Sequence, residues 1–346
     1  MDREQLTERQ SYFLLFLFML GNFVTANGAK GKQGGWLLFL ALAILSVPVL
    51  LLYIKAANNR PAGQVFIQSL GVTPGIVLTV LYCVLAVMLA GDAIRLFADF
   101  IVINDLNDAG AWGNSALLTL TILLLLYCSM QSLGKAAWLI QPLVFLFPLL
   151  SICLTIGKMD LNRLRPLFTD GSAVLTKSML SSFTACIASA FFPVFALSGS
   201  APKRWKHYVI SAGVSASLLL ALVTVRDIAV LGYPAISMFR FPSFAASGTF
   251  RHSEILISSA FVLIQPFRAA LCLRYAQACL KWWKPRWHHW YPPFLLSLAV
   301  FSGALSWSSE QKRWRTAGEA IFTCLLLLGP GLVVILEKAH VKKQKS

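Results

Sequence analysis

The chain has 346 residues, of which 57% are hydrophobic and only 13% are charged, and its mean hydropathy is +0.69. A soluble protein of this length needs far more polar surface to cover its core, so the composition excludes one. The formal net charge is +16. The basic residues fall in short segments between apolar runs, where they set membrane topology and contact anionic lipid, so we predict a lipid membrane partner and no nucleic-acid partner.

Apolar runs long enough to cross a bilayer recur along nearly the whole chain. They predict an all-α integral membrane protein with one membrane domain, residues 1–346. Within it we expect a cytoplasmic N-terminus at 1–10, an outer loop at 158–178 and a basic cytoplasmic tail at 338–346. The ten predicted spans cover residues 11–29, 35–54, 73–98, 115–133, 136–157, 180–199, 206–232, 253–275, 293–308 and 317–337.

The distribution of Lys and Arg predicts the orientation. Sixteen of these residues fall in segments on the side of the N-terminus and eleven on the opposite side. Because cytoplasmic loops carry an excess of Lys and Arg, this bias favours both termini in the cytoplasm.

The first span is interrupted after its apolar run. Gly21 is followed by Asn22, Phe23, Val24 and Thr25, and the run to residue 28 holds two Gly and two Asn, which are poor helix formers. An unwound backbone inside a bilayer is tolerated only where it faces protein or a watery cavity, and its freed N–H and C=O groups can hold a ligand. The alternative is that the span ends near Gly21 and a loop follows.

The sixth span carries a comparable feature. Small residues, among them Ala185 and Ser189, cluster before Phe191, Phe192 and Pro193. The proline favours a kink, although small residues also serve close helix packing. Breaks in spans one and six of ten predict two five-span halves of inverted topology, with a ligand at the midplane between the broken helices.

Several charges lie inside or at the ends of predicted spans, where they are costly and often functional. Arg95 can reach both Asp92 and Asp99 along one helix face, which predicts a self-satisfied triplet. Arg226 and Asp227 are neighbours and point in different directions on a helix, so we expect each to pair with another span.

Two further charges belong to the eighth span. Glu254 opens it, and Arg268 lies deeper, just after Gln265 and Pro266. Arg268 either sits in a cavity or extends to the inner face.

No motif predicts an enzyme, a metal site or a cofactor. The sequence lacks HExxH, GxSxG and a phosphate-binding glycine loop. The seven cysteines are scattered through apolar runs without a CxxC pair. The aromatic and basic stretch 281–291 is typical of a membrane interface.

Local segments in order along the chain resemble the endospore germination permeases, the B subunits of nutrient germinant receptors, within the amino acid–polyamine–organocation superfamily. The chain looks like a divergent member. The segments that carry the resemblance are Gln5–Gln10, Gly34–Leu37, Arg95–Asp99, Asp160–Leu167 with Gly171, Val230–Gly232 with Phe241–Pro242, and Glu254.

The resemblance implies a LeuT-like fold of ten helices in the spore inner membrane, which binds a small nutrient such as an L-amino acid and assembles with receptor A and C subunits. The expected ligand-binding residues are Gly21, Asn22, Phe23, Val24, Thr25, Tyr82, Ala185, Ser189, Phe191 and Phe192. Two alternatives stay open. One is a proton- or sodium-coupled amino acid transporter, in which Ser258 and Ser259 could serve a sodium site, and the other is a structural subunit that binds no nutrient.

Overall fold

The protein is described by a computed structural model. It describes residues 6–21, 35–103, 110–165, 172–200, 202, 205–249, 253–283, 286, 289–305 and 311–345. The helices are α1 Glu8–Leu20, α2 Gly35–Ala57, α3 Ala62–Leu70, α4 Val72–Ile103, α5 Gly110–Tyr127, α6 Met130–Thr155, α7 Ser172–Cys186, α8 Phe191–Ser198, α9 Trp205–Leu231, α10 Tyr233–Met238, α11 Pro242–Ser247, α12 Glu254–Trp283, α13 Tyr291–Leu305 and α14 Gln311–Lys345.

In the described part of the chain, six helical segments are long and apolar enough to cross a membrane, and three shorter apolar helices accompany them. The short helix α1 adds a tenth apolar segment. Large side chains such as Ile44 on α2 and Leu139 on α6 face outward, where hydrocarbon rather than water would surround them. The arrangement supports the predicted polytopic helical protein.

When the ten spans are numbered along the chain, several contacts between helices recur after a shift of five spans. Spans one and five (α1 and α6) pack together, and so do spans six and ten (α7 and α14). Spans three and nine (α4 and α13) pack together, and so do spans eight and four (α12 and α5). Spans two and seven (α2 and α9) pack on each other, as do spans three and eight (α4 and α12). Each of these two pairs consists of spans that correspond to each other in the two halves. Such pairing is the structural mark of two inverted five-span halves.

The two interrupted spans lie at the centre of the bundle. The side chains from Leu14 to Leu20 on α1 are almost completely buried, as are those from Phe191 to Phe195 on α8. α1 begins at a capping box, in which Thr7 Oγ1 accepts from the Gln10 N–H and Gln10 Oε1 accepts from the Thr7 N–H. The outer helices therefore surround the segments that the sequence singled out.

Many helix boundaries differ from the predicted ones by several residues, and three of the differences are the following. α5 ends at Tyr127 and Ser129 caps α6, six residues before the predicted end of span four, because the Ser129 hydroxyl accepts from the Ser132 N–H at the start of α6. α7 begins at Ser172, inside the predicted outer loop 158–178, and α14 extends to Lys345 through the predicted tail. No Gly or Pro interrupts residues 172–190 or 332–345, so these helices extend past the apolar runs that defined the spans.

α4 and α13 cross at two glycines. A Cβ atom at Gly91 would overlap the Ser302 hydroxyl and lie 2.5 Å from the Ala299 carbonyl oxygen, and one at Gly303 would lie 2.7 Å from the Gly91 carbonyl oxygen. These distances are shorter than van der Waals contact and involve backbone, which cannot rotate away.

We expect Gly91→Ala to destabilise the fold by roughly 1–3 kcal/mol, because the added methyl group forces α4 and α13 apart. The measurement is the fraction of purified protein that stays monodisperse after heating in detergent. Gly331→Ala is the matched control, since a Cβ there meets nothing within 4 Å. Equal heat resistance of the two variants would contradict the close crossing.

Candidate functional site

The helix α1 ends against a buried amide side chain from α12. Gly21 closes α1 through its N–H, which donates to the Phe18 carbonyl oxygen. The Gln265 Nε2 amide donates to the Gly21 carbonyl oxygen at 2.6 Å, and the Gln265 side chain is fully buried. Because the last carbonyl groups of a helix lack partners within it, Gln265 satisfies one that hydrocarbon could not.

Arg268 lies against the same end of α1. A Cβ atom at Gly21 would overlap the Cδ of Arg268 and lie 3.2 Å from its Nε. The Arg268 side chain is 4% exposed, and Asp92 on α4 is the acidic residue whose charge acts on it. A guanidinium here faces the negative end of the α1 dipole. Arg268 thus packs α12 against the end of α1.

The sixth span breaks between Cys186 and Phe191, where Ile187 and a 3₁₀ turn at Ala188–Ala190 replace the α-helix. Pro193 is the third residue of α8, where its missing N–H costs no helical hydrogen bond, so the interruption precedes the proline instead of centring on it.

Side chains satisfy the carbonyl groups at this break. The Ser189 hydroxyl donates to the Ala185 carbonyl oxygen at 2.7 Å. The Tyr53 hydroxyl, from α2, donates to the Ala188 carbonyl oxygen at 3.2 Å. Ser189 is fully buried and Ala185 partly so. The backbone of the break is therefore held by side-chain hydroxyl groups.

An aromatic layer closes the bundle on the side that carries the N-terminus. Its members are Tyr53, Phe66, Tyr82, Phe191, Phe192, Phe195 and Tyr275, all of them buried. The Tyr82 ring stacks on Phe191 with centroids 4.7 Å apart, and Phe192 meets Tyr275 edge-on at 5.4 Å. Tyr275 lies two turns, roughly 10 Å, along α12 from Arg268.

The layer brings together three of the predicted ligand-binding residues, Tyr82, Phe191 and Phe192. The Tyr82 hydroxyl donates to the Leu325 carbonyl oxygen of α14 at 2.5 Å. Tyr82 thus connects α4 to α14 through the aromatic layer. The predicted residues Asn22, Phe23, Val24 and Thr25 lie outside the described residues.

The charges at the end of α4 form a network that extends beyond that helix. Arg95 Nε lies 3.6 Å from Asp99 Oδ2, and Arg240, between α10 and α11, also pairs with Asp99. Asp92 lies almost one turn before Arg95 on α4 and is exposed. Glu254 is the first residue of α12, where a carboxylate favours the helix dipole, and its carbonyl oxygen accepts from the Ser258 hydroxyl at 2.9 Å.

Arg226 and Asp227 correct part of one expectation, because they pair with each other as well as with residues of other helices. Arg226 Nε donates to Asp227 Oδ1 at 2.8 Å, and both side chains are fully buried. Neighbouring residues point in different directions on a helix, but the Arg226 side chain is long enough to bend back along α9, so that its guanidinium reaches the Asp227 carboxylate. Three serines complete the cage, since Ser151 and Ser247 accept from Arg226 and Ser243 donates to Asp227.

Sequence reasoning noted Arg268 without placing it in the ligand-binding set, and it missed Gln265. The sequence feature that could have identified this part of the site is the group Gln265, Pro266 and Arg268, which interrupts an otherwise apolar run. The contact with Gly21 depends on how α1 and α12 cross, which the sequence does not specify.

A family model described as "Spore germination protein" matches residues 5–269. The chain belongs to the spore germination protein family. The match covers more than three-quarters of the sequence and confirms the resemblance found from local segments. No curated relative matches the sequence of this spore germination protein.

The crystal structure of MhsT in complex with L-phenylalanine shares the fold of this spore germination protein. The TM-score is 0.70 at 16% sequence identity, and the match covers 96% of this chain and 89% of that chain. The likeness confirms the predicted LeuT-like fold of two inverted halves.

We expect Asp227→Leu to destabilise the protein by about 3–5 kcal/mol, because it leaves Arg226 charged and unpaired in a buried cage. The double variant Arg226→Met with Asp227→Leu should recover most of this loss, since it removes both charges at similar volume. Heat resistance in detergent measures both effects. If the double variant is less stable than Asp227→Leu, the ion pair is not the source of the effect.

Proposed function

We propose that this protein is the nutrient-binding subunit of a germinant receptor in the spore inner membrane, with both termini in the cytoplasm. It would act with receptor A and C subunits to trigger germination. Membership of the spore germination protein family supports the process, and the LeuT-like fold supports a ligand site at the membrane midplane between broken helices.

The observation that carries the proposal is the meeting of Gly21, Gln265 and Arg268 at the end of α1. An L-amino acid has a carboxylate and an ammonium group. Arg268 supplies a guanidinium that can bind a carboxylate in a bidentate manner. The backbone of Gly21, Asn22, Phe23, Val24 and Thr25 would contribute further N–H and C=O groups.

The ligand side chain would extend toward the break in the sixth span, where Ala185, Ser189, Phe191 and Phe192 lie together. L-Phenylalanine in the MhsT crystal structure supports a ligand of this class for the fold. The ligand must favour one conformation of the subunit to produce a signal. Because Gln265 and Arg268 hold the end of α1, a ligand that competes for them would release α1 from α12.

The second candidate is an amino acid transporter, since proteins with inverted repeats and broken helices include secondary transporters. Arg268 argues against sodium coupling at the junction of α1 and α12, because a fixed guanidinium there repels a second cation. Uptake of labelled amino acid into vesicles distinguishes the two functions. Accumulation above a protein-free control supports transport, whereas saturable binding without accumulation supports a receptor.

The direct test of the receptor role uses spores that lack only this chain, scanned over single amino acids, sugars and nucleosides. We expect the response to one nutrient to be lost and to return when the chain is re-expressed. A strain that responds normally to every nutrient, with related receptors also deleted, would contradict the role.

Gly21→Val should abolish this nutrient response while protein levels stay normal, because its side chain displaces Arg268 from the end of α1. Gly331→Val is the control, since its side chain meets open space. A normal response of Gly21→Val spores would show that the ligand lies elsewhere.

Arg268→Gln should weaken binding of the identified amino acid by about 10–100-fold, the loss typical of a hydrogen bond to a charged group. Binding of the corresponding amino acid amide, which lacks the carboxylate, should change little. Arg274→Gln serves as the control, because Arg274 donates to the carbonyl oxygens of Leu125 on α5 and of Cys128 just after it. Equal losses for the acid and the amide would contradict carboxylate binding by Arg268.

A further inference from the structure

An apolar groove of roughly 400 Å³ opens on the outer surface of the bundle between α4, the end of α12 and α13. Its floor is formed by buried side chains that include Thr79, Cys279 and Leu295. Its rims carry Val84 and Leu298, which line the groove and are partly exposed. The groove is thus a cleft that faces the lipid and does not belong to the site around Arg268.

The groove has the depth of one lipid leaflet. Along α4 its lining runs from Ile76 to Met88, which is roughly 18 Å of helix. Half of the hydrocarbon core of a bilayer is about 15 Å thick. One end of the groove lies at Trp282 and Trp283, on the side of the bundle that carries the N-terminus. Tryptophan is typical of the membrane–water interface, so the groove runs from the headgroup level to near the midplane.

The end at the interface is positively charged. Lys281 and Arg286 are exposed next to the two tryptophans. The sequence segments that build the groove, 61–91 and 255–309, contain no Asp or Glu. Each basic residue near a membrane surface attracts anionic lipid by about 1 kcal/mol. The charge at the mouth therefore complements an anionic headgroup.

We infer that this groove binds one anionic phospholipid of the surrounding bilayer, with an acyl chain between α4, α12 and α13 and the phosphate at Lys281 and Arg286. The apolar lining, the leaflet depth and the basic mouth each fit one part of that molecule. The inference is independent of the proposed nutrient site.

The groove floor is also the back of the aromatic layer. Cys83, which lines the groove, follows Tyr82, and Cys279 lies one turn of α12 beyond Tyr275. An acyl chain in the groove therefore packs against the two helices that present Tyr82 and Tyr275 to Phe191 and Phe192. Lipid occupancy would hold α4 and α12 in the spacing that keeps this layer closed.

The test is native mass spectrometry of the purified full chain with added phosphatidylglycerol or phosphatidylcholine. We expect the wild-type protein to retain one phosphatidylglycerol in preference to phosphatidylcholine. Lys281→Gln with Arg286→Gln should lower this preference by about fivefold for each charge removed. Lys135→Gln, an exposed lysine on the same side of the bundle, is the control for charge.

The groove itself is tested by filling it. Val84→Trp and Leu298→Trp should lower retention of both lipids, whereas Leu139→Trp, on an outward surface of α6 away from the groove, should not. An anionic phospholipid with a photoreactive acyl chain should crosslink to peptides of α4 and α13. Unchanged retention in both filled variants would overturn the inference. A photoreactive residue can also be placed at position 298. If it crosslinks in membranes to another protein instead of lipid, the groove binds a partner helix, and this result would also overturn the inference.

Discussion

Hydrocarbon offers no hydrogen bonds, so every polar group that enters the membrane needs a partner from the protein itself. This constraint governs both interrupted spans. Where α1 ends, Gln265 donates to the Gly21 carbonyl oxygen, and where α7 ends, Tyr53 and Ser189 donate to the carbonyl oxygens of Ala188 and Ala185. The breaks can lie at the centre of the bundle only because side chains from other helices satisfy them there.

The same partners make the breaks responsive. A carbonyl group within a continuous helix is inaccessible to a ligand, whereas one held by a side-chain amide or hydroxyl can exchange that group for another. Arg268 and Gln265 lie on one face of α12, three residues apart, and both contact the end of α1. Movement of α12 would therefore shift both contacts together and carry the motion along α12 to Tyr275 in the aromatic layer.

The sequence predicted the membrane class, the number of spans, the end of the first helix near Gly21 and the break in the sixth span, because apolar length, Gly and small-residue clusters are local signals. It did not predict which helices meet. Arg226 and Asp227 illustrate what the sequence leaves open. It shows that the two side chains start in different directions on α9, but the conformation of the Arg226 side chain depends on Ser151 and Ser247 from other helices. Arg268 was visible as a buried charge, while its contact with Gly21 depends on how two helices cross.

The caged pair on α9 has an electrical consequence. Moving one elementary charge across a membrane potential of 100 mV changes the free energy by about 2.3 kcal/mol. Arg226 and Asp227 lie on the same helix and cancel each other, so any displacement of α9 carries no net charge from this pair through the field. The membrane potential therefore does no net work on the caged pair when α9 moves across the bilayer.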